Sequence, residues 1–506
     1  MIKLIDDLLN RVSMYRLVLY YLIALLGVAF IFSLTGIMAY DPTAILFSTS
    51  FLLAMCALTN WIFARVFNVP VNVESSYITA LILALIITPL QSYADLWFLG
   101  WAATLAMASK YILAIKAKHL FNPVALAVTL TYLTINQSAS WWVGDARLLP
   151  FVVIGGLLIV AKIRRFSLVL SFLLTALATI GAAALVSGDD FLSSLQRTIL
   201  YSPLAFFAAA ILTEPLTTPP TRKLQIYYGA LVGFLFTPLV HLGSFYITPE
   251  MALLVGNVFS YAVSPKTKLV LQLKEKIKLA PDIYEFVFGM PQRLAFSPGQ
   301  YMEWTLDHED PDSRGNRRYF TLASAPTESE LRLGVKFYPQ SSSFKQALAE
   351  MDGKQEIVAS QLAGEFVLPD DPRQKCIFIA GGIGVTPFRS MLKYLIDTRQ
   401  PRPITLFYAN RRADEIVYKD VLDRAERELG IRTFYSVTDP YKLPSNWHGK
   451  VGRLTPQWIA QVVPGFGDAI FYLSGPVAMI HDFKDALRQL GIPDAHIKID
   501  YFSGLA

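Results

Sequence analysis

The sequence predicts two joined halves of different fold class. An α-helical polytopic membrane domain of about ten spans is followed by a β-barrel domain and an α/β nucleotide-binding domain. Three observations carry this. Of 506 residues, 54% are hydrophobic and only 17% charged, below the quarter charged of an ordinary soluble domain. The charge is uneven, with residues 1–264 holding 14 of the 45 Lys and Arg. Beyond residue 268 the long apolar runs give way to short alternating strands, turns and amphipathic helices. An average soluble globule is excluded, and so is a disordered or fibrous chain. The boundaries follow as 1–264 for the membrane domain, 265–372 for the barrel and 373–506 for the α/β domain.

The net charge of +6 and the pI near 9.0 match the Lys/Arg excess of cytoplasmic loops. No basic run is interleaved with aromatics, so nucleic acid is not an expected partner. The two cysteines, Cys56 and Cys376, lie in an apolar helix and just before a strand, and no disulfide is expected. A ferredoxin-type cluster needs four Cys ligands, and no metal site is expected. The start, MIKLIDDLLNRV, carries acids and lacks an apolar core, so it does not read as a cleavable leader.

Apolar runs fall at about 15–38, 43–66, 76–92, 95–115, 121–137, 148–162, 166–187, 199–213, 226–243 and 250–264. Several are shorter than the ~20 residues of a straight span. With the N-terminus inside, one set of loops holds Arg65, Lys116, Lys118, Lys162, Arg164, Arg165, Arg222 and Lys223. The opposite set has little beyond Arg147 and Arg197 and contains Asp41, Asp189 and Asp190. The asymmetry predicts a multi-pass protein of the inner (cytoplasmic) membrane, with both termini and the soluble half in the cytoplasm. Three polar features interrupt the runs. Lys110 reads as snorkelling from a helix end. Glu214 reads equally as a salt bridge with Arg222 and Lys223 or as part of a site. Asn122–Pro123 is a helix cap or a break that lines a cavity.

ESSYITALILALIITP (74–89), KHLFNPVALAV (118–128) and ILTEPLTTPPTRK (211–223) resemble two membrane flavoprotein subunits. These are the B subunit of the sodium-translocating NADH:quinone reductase and the D subunit of the Rnf complex. In that family a Ser-Gly-Ala-Thr segment before the ILTEP-like motif carries covalent FMN on its Thr. Here Tyr201, Ser202, Pro203 and Leu204 stand there, and Leu204 has no hydroxyl to form a phosphoester. Covalent FMN is therefore not expected; a non-covalent flavin in the membrane domain, or none, stays open.

In the second half, KCIFIA, a Gly-rich turn, PFRSMLKYLIDT and ITLFYANRR read as a βαβ unit that binds a nucleotide at the carboxyl ends of its strands. Together with the preceding barrel this resembles the ferredoxin–NADP reductase superfamily, on five motifs. SPGQY (Ser297–Tyr301) resembles the turn that shapes the flavin pocket. RYFT (Arg318, Tyr319, Phe320, Thr321) resembles the Arg-x-Tyr-Ser/Thr signature. That likeness implies Arg318 on the FAD pyrophosphate, Phe320 packed on the flavin and the Thr321 hydroxyl at its N5. SSSFKQAL opens a helix, and the likeness gives Ser342 and Ser343 to the pyrophosphate; a plain helix cap is the alternative. IAGGIGVTPFRSML offers Gly381, Gly382 and Gly384 for a tight turn against a dinucleotide, with Thr386 and Pro387 starting the next helix. YLSGP resembles the Cys-Gly-Pro stop near the nicotinamide, with Ser474 in the place of Cys, then Gly475 and Pro476. The tail carries Asp500 and Phe502, with Leu505 where a covering aromatic is usual. Arg411 and Arg412, after the second strand of the unit, stand where the adenosine ribose would lie, either gripping a 2′-phosphate or forming a solvated surface pair. NADH is preferred over NADPH on the texture of the family.

The two likenesses imply FAD and NADH (or NADPH) as cofactors, with Thr321 and Ser474 beside the reacting centre. The expected function is a membrane-bound NAD(P)H dehydrogenase. It passes electrons through FAD into or across the bilayer, to a quinone or an extracytoplasmic flavoprotein, with a partner redox subunit left open. The alternatives are an anchored reductase of a soluble acceptor and a redox-driven ion-pump or transporter subunit. A two-haem relay is a disfavoured rival, since it needs four axial His and only His119 and His241 of the six His lie in or beside the membrane half.

Overall fold

A computed structural model describes residues 12–67, 73–115, 118–237, 240–242, 245–264, 268–290, 293–309, 311–312, 315–441 and 443–500. Packing divides the chain into two compact units, 1–266 and 267–506.

The first unit is helical. Its main helices are α1 (Met14–Leu34), α2 (Pro42–Val66), α3 (Val73–Ile86), α4 (Asp95–Ile112), α5 (Pro123–Ile135), α6 (Leu149–Ile163), α7 (Phe166–Ser187), α8 (Phe191–Tyr201), α9 (Arg222–Leu235) and α10 (Pro249–Val263). Their starts are encoded locally. Ser13, Asp41, Asn122, Asp190, Thr221 and Thr248 each accept a first-turn N–H on the side chain, and proline opens α2, α5, α6 and α10.

Three of these helices, α1, α2 and α7, with 21, 25 and 22 residues, are long and apolar enough to cross a membrane. This corrects the expected ten. Helices α3, α5, α6, α9 and α10 have 14, 13, 15, 14 and 15 residues. At 1.5 Å per residue they reach roughly 20 Å, against a hydrocarbon core of about 30 Å. Helix α4 reaches 18 residues but carries Asp95 in its first turn and Lys110 in its last. The run at 199–213 is not one helix. Amphipathic α8 ends at Tyr201, the chain breaks at Ser202–Pro203, and one turn (Leu204–Phe206) leads into a π-helical turn, Phe207–Ile211. In the three long helices only 33%, 33% and 22% of the most apolar window is buried within the chain.

Lys110 does not snorkel outward. Its ammonium donates to the Ser75 carbonyl at 3.0 Å, Ser75 Oγ at 2.9 Å and Thr79 Oγ1 at 2.8 Å, all on α3. An ammonium has three hydrogens, so a neighbouring helix satisfies the charge in full.

The second unit opens with a barrel of β1 (Lys268–Ala280), β2 (Ile283–Gly289), β3 (Tyr301–Leu306), β4 (Arg317–Thr321), β5 (Glu330–Lys336) and β6 (Glu356–Ala363), with α11 (Ser343–Glu350) between β5 and β6. The strands run in the order β4-β3-β6-β1-β2-β5, all antiparallel. Two register shifts in β1 let it pair with β6 over its first half and β2 over its second. Ala323 N donates to Arg332 O at 2.9 Å, joining the exit of β4 to β5. Phe286, Phe288, Trp304 and Phe320 fill the interior, and α11 plugs it with Phe344 and Leu348. Each such ring contributes about 1.5–3 kcal/mol on burial.

Next come β7 (Cys376–Gly381), α12 (Thr386–Thr398), β8 (Ile404–Asn410), α13 (Lys419–Leu429), β9 (Arg432–Val437), β10 (Lys450–Val451), α14 (Pro456–Val462), β11 (Ile470–Ser474), α15 (Val477–Gln489) and β12 (Ile497–Ile499). The sheet is parallel in the order β10-β9-β8-β7-β11-β12. Every residue of β7 is buried, so it reads as an unbroken apolar run. Helices α12 and α13 cover one face through Phe388, Leu392 and Leu422. Helices α14 and α15 cover the other through Ile459, Phe483 and Leu487. The chain leaves β7 toward β8 on one side and returns to β11 on the other. That reversal opens a crevice above the carboxyl ends of β7 and β11.

Candidate functional site

The turn after β7 and the turn after β11 meet in that crevice. Gly382 has φ +54°, a left-handed conformation that side chains other than glycine adopt at a cost. A Cβ on Gly384 would stand 2.5 Å from Ser474 O and 2.6 Å from Gly475 N, so the two turns touch backbone to backbone. A Cβ on Gly381 would meet side chains instead, 2.7 Å from Met479 Sδ and 2.8 Å from Pro476 Cδ. Thr386 opens α12 with Pro387 in its first turn, and Thr386 Oγ1 donates to Ile383 O at 3.1 Å. The N-terminus of a 13-residue helix therefore faces the crevice, a favourable place for phosphate.

The exit of β4 arrives at the same point. Thr321 Oγ1 donates to Asp500 Oδ2 at 3.2 Å and Ser474 Oγ donates to the same oxygen at 3.0 Å. Both hydroxyl residues are buried. Asp500 follows β12, held by its N–H on Leu473 O at 2.9 Å. Its other carboxyl oxygen is buried without a hydrogen-bond partner among the described residues. Burial pushes the Asp500 carboxyl up to about 7, against the smaller downward pull of the two hydroxyls. The structure thus brings together Thr321 and Ser474, and adds Asp500 as the group they share. Phe502, its neighbour in the tail, lies outside the described residues.

A second corner lies at the other end of β4. Arg318 is 1% exposed, and its Nη1 donates to Gly315 O at 3.1 Å and Arg317 O at 2.6 Å. Its Nη2 stands 3.6 Å from Asp312 Oδ1. Asp312 Oδ2 accepts the backbone N–H of Ser343 at 3.1 Å, at the start of α11. Ser342 is the cap of that helix, accepting Lys345 N at 3.3 Å, as the plain-cap alternative requires. Ser343 Oγ receives Asp312 N at 2.9 Å and lies 3.0 Å from His308 Nε2. A guanidinium and a helix N-terminus grip one carboxylate here, and the same donors fit a phosphate. The residues present therefore suit the pyrophosphate of a dinucleotide cofactor. Sequence reasoning missed Asp312, because its partners are 6 and 31 residues away with no periodic signal.

Alternation along β4 separates its side chains. Arg318 and Phe320 face inward, Phe320 with its ring 5.9 Å from that of Phe344. Tyr319 lies on the opposite face with Thr321, edge-on to Tyr301 at 5.7 Å and donating to Glu303 Oε2 at 2.8 Å. Arg411 is exposed just beyond β8, while Arg412 pairs with Asp414 at 2.9 Å. A groove of about 610 Å³ runs elsewhere, between Arg293–Pro298, Val367–Asp370 and Arg402. Only Ser297 and Pro298 of the sequence motifs line it.

In the first unit Glu214 is joined to the motif residues around Asn122. Asn122 Nδ2 donates to Glu214 Oε2 at 2.8 Å, Thr217 Oγ1 to the same oxygen at 3.1 Å, and Asn122 N to Asn257 Oδ1 at 2.8 Å. Asn122 also caps α5, accepting Ala125 N at 3.0 Å. Leu204 is 4% exposed, and Gly144 lies flush against the Ser202–Pro203 backbone.

Residues 378–485 match the family model of the oxidoreductase NAD-binding domain. The NADH-cytochrome b5 reductase 1 of Ajellomyces capsulatus is 30% identical over 256 residues, covering 47% of this chain and 81% of that protein. The chain belongs, through its C-terminal half, to the cytochrome b5 reductase family. It is an NAD(P)H oxidoreductase whose cofactors are FAD and NAD(P)H. A flavohemoprotein of Bacillus cereus is 28% identical over 227 residues; the match covers 42% of this chain and 54% of that protein, about half its length. Among solved structures, the cytochrome b5 reductase domain of Ulva prolifera nitrate reductase is 21% identical with a TM-score of 0.41, covering 47% of this chain and 97% of that one. All these matches involve less than half of this b5 reductase-family chain.

Proposed function

We propose that the chain is a membrane-bound, FAD-dependent NADH oxidoreductase. It draws electrons from cytosolic nicotinamide and delivers them into or across the membrane, to a quinone or an extracytoplasmic flavoprotein. The observation that carries the redox half is the convergence of Thr321 and Ser474 on Asp500, at the crevice where the Gly381–Gly384 turn meets Gly475. Bound FAD supplies the conversion of a two-electron hydride donor into single electrons. The chain's own residues do the rest. Arg318, Ser342 and Ser343 hold the FAD pyrophosphate, and Tyr319, on the face of β4 that it shares with Thr321, flanks the flavin; Phe320, which the likeness puts on the flavin, packs in the barrel interior against Phe344 instead. Gly381, Gly382, Gly384, Thr386, Pro387, Gly475 and Pro476 shape the dinucleotide channel, with Arg411 at the adenosine ribose. Thr321 and Ser474 orient the reacting rings, and Asp500 holds or releases a proton through their hydroxyls.

The membrane half rests on the three long apolar helices and on the likeness of residues 74–89, 118–128 and 211–223 to the two pump subunits. The short helices support this reading as broken elements packed among the long ones. Covalent FMN is excluded from the proposal, because Leu204 lacks a hydroxyl and is buried. The test is acid release and chromatography of flavins from detergent-purified full-length protein, with anaerobic titration by NADH and by NADPH. One FAD per chain, bleached by NADH at lower concentration than by NADPH, is expected. A chain that purifies with FAD but is not reduced by either nucleotide sinks the proposal.

A further inference from the structure

Thr321 belongs to the barrel and Ser474 to the α/β domain, so their meeting on Asp500 depends on how the two domains are joined. The join is built along one helix. Arg389, in the first turn of α12 and 6% exposed, donates through Nη1 to Ala323 O at 3.0 Å. Its guanidinium also grips Glu328 through both nitrogens, the Nη2–Oε1 contact being 2.9 Å. Glu328 in turn accepts Ala325 N at 2.6 Å. One residue along, Ser390 Oγ donates to Ser324 O at 2.7 Å. At the far end of α12, Thr327 Oγ1 donates to Asp397 Oδ2 at 2.6 Å. Residues 323–328, which leave Thr321, are thus laced to the helix that leaves the Gly381–Gly384 turn. Each of these bonds between the segment and α12 spans more than 60 residues of chain.

We infer that Arg389 is the positioning residue for hydride transfer in this protein. It is the only member of the lacing, among the described residues, that binds two separate points of the 323–328 segment, and its planar fork does what a lysine cannot. Charge pairing with Glu328 holds the segment, and the bond to Ala323 O lies two residues from Thr321. A shift of about 1 Å between nicotinamide and flavin sites costs on the order of a hundredfold in rate. Arg389 spends its hydrogen bonds on Ala323 and Glu328 and acts through Thr321. The inference rests on the proposed reading that the hydride passes at Thr321, Ser474 and Asp500.

The experiment uses the full-length holoprotein with Arg389→Lys, Arg389→Met and, as a variant that removes one exposed bond only, Thr327→Ala. Flavin content, kcat and KM for NADH with ferricyanide, and the isotope effect with 4-deuterated NADH are measured per bound flavin. Amide hydrogen exchange over 321–328 is followed in the same samples and in flavin-stripped protein. The expected result for Arg389→Met is retained FAD, kcat lower by about tenfold or more, nearly unchanged KM, an increased isotope effect and faster exchange confined to 321–328 and the start of α12. Arg389→Lys falls between, and Thr327→Ala shows a smaller change in exchange. A kcat that falls only as flavin is lost, or an unchanged isotope effect and exchange pattern, overturns the inference. A wild-type protein that does not oxidise NADH fails the parent reading instead, while the exchange data from stripped protein still test the lacing.

Discussion

Asp500 carries the sharpest residue-scale expectation. Its carboxyl is raised by burial from an ordinary 3.8 to about 7. The folded state then binds a proton that the unfolded chain has lost, so stability falls as pH rises from about 4 to about 7 and stays reduced above it. The loss amounts to a few kcal/mol, because each tenfold gain in proton affinity is worth about 1.4 kcal/mol. Asp500→Asn removes the titration while keeping an acceptor for one hydroxyl. Thermal melts from pH 5 to 8 are expected to fall for the parent and to run flat for this site in the variant, whose kcat drops at least tenfold. A parent melt that rises across the same range contradicts the buried carboxyl. Asp312 makes a second case. Its carboxylate occupies the donors that suit a phosphate, so Asp312→Asn is expected to tighten FAD about tenfold, ~1.4 kcal/mol, in a flavin-release assay. Weaker binding would make Asp312 part of the cofactor site rather than its competitor. Thr321 and Ser474 were legible as motif residues and Asp500 as the acid of the tail, whereas the contact the two hydroxyls share on it was not. The bond from Thr321 spans 179 residues, and no local pattern encodes a contact of that range.

At the scale of elements, the glycines of the nucleotide turn were legible because a strand–turn–helix needs them, and the structure supplies the reason in distances. Gly384→Ala would drive a Cβ to 2.5 Å from the Ser474 carbonyl, which is backbone and cannot swing aside. The two turns must part, at about 1–3 kcal/mol. The parting moves Ser474 off Asp500, so NADH oxidation is expected to fall far more than FAD content; equal loss of both would point to simple misfolding. The apolar runs of the first half illustrate the opposite limit. Composition located helices at nearly every run and bounded those at 43–66, 148–162, 166–187 and 250–264 closely, but it did not show where the helices at 76–92, 121–137 and 226–243 stop or that 199–213 is broken. Length is set by caps and breaks such as Asn122, Pro203 and Thr221, and by partners such as Ser75 and Thr79 that let Lys110 turn inward. Hydropathy averages register none of these.

The whole molecule joins a unit with its own barrel and sheet cores to a helical unit with a separate core. A unit with complete cores folds and binds its cofactor alone, so residues 267–506 are expected to retain one FAD and NADH:ferricyanide activity within about twofold of the full chain. What the first unit adds is then measurable by difference. Full-length protein in lipid discs is expected to reduce a membrane-dissolved quinone with NADH, and the 267–506 fragment mixed with the same discs is not. Three long helices with mostly unburied apolar windows are long and apolar enough to cross a membrane, and an address in the membrane would use them as well as an electron path would. The polar set of Asn122, Glu214, Thr217 and Asn257 separates the two, because an anchor has little use for a half-buried carboxylate hydrogen-bonded to Asn122 and Thr217. Glu214→Gln should therefore depress quinone reduction at least tenfold while leaving ferricyanide reduction and membrane insertion intact. If quinone reduction is indifferent to Glu214, or equal for fragment and full chain, the helices serve as an anchor and the acceptor is to be sought in the cytoplasm.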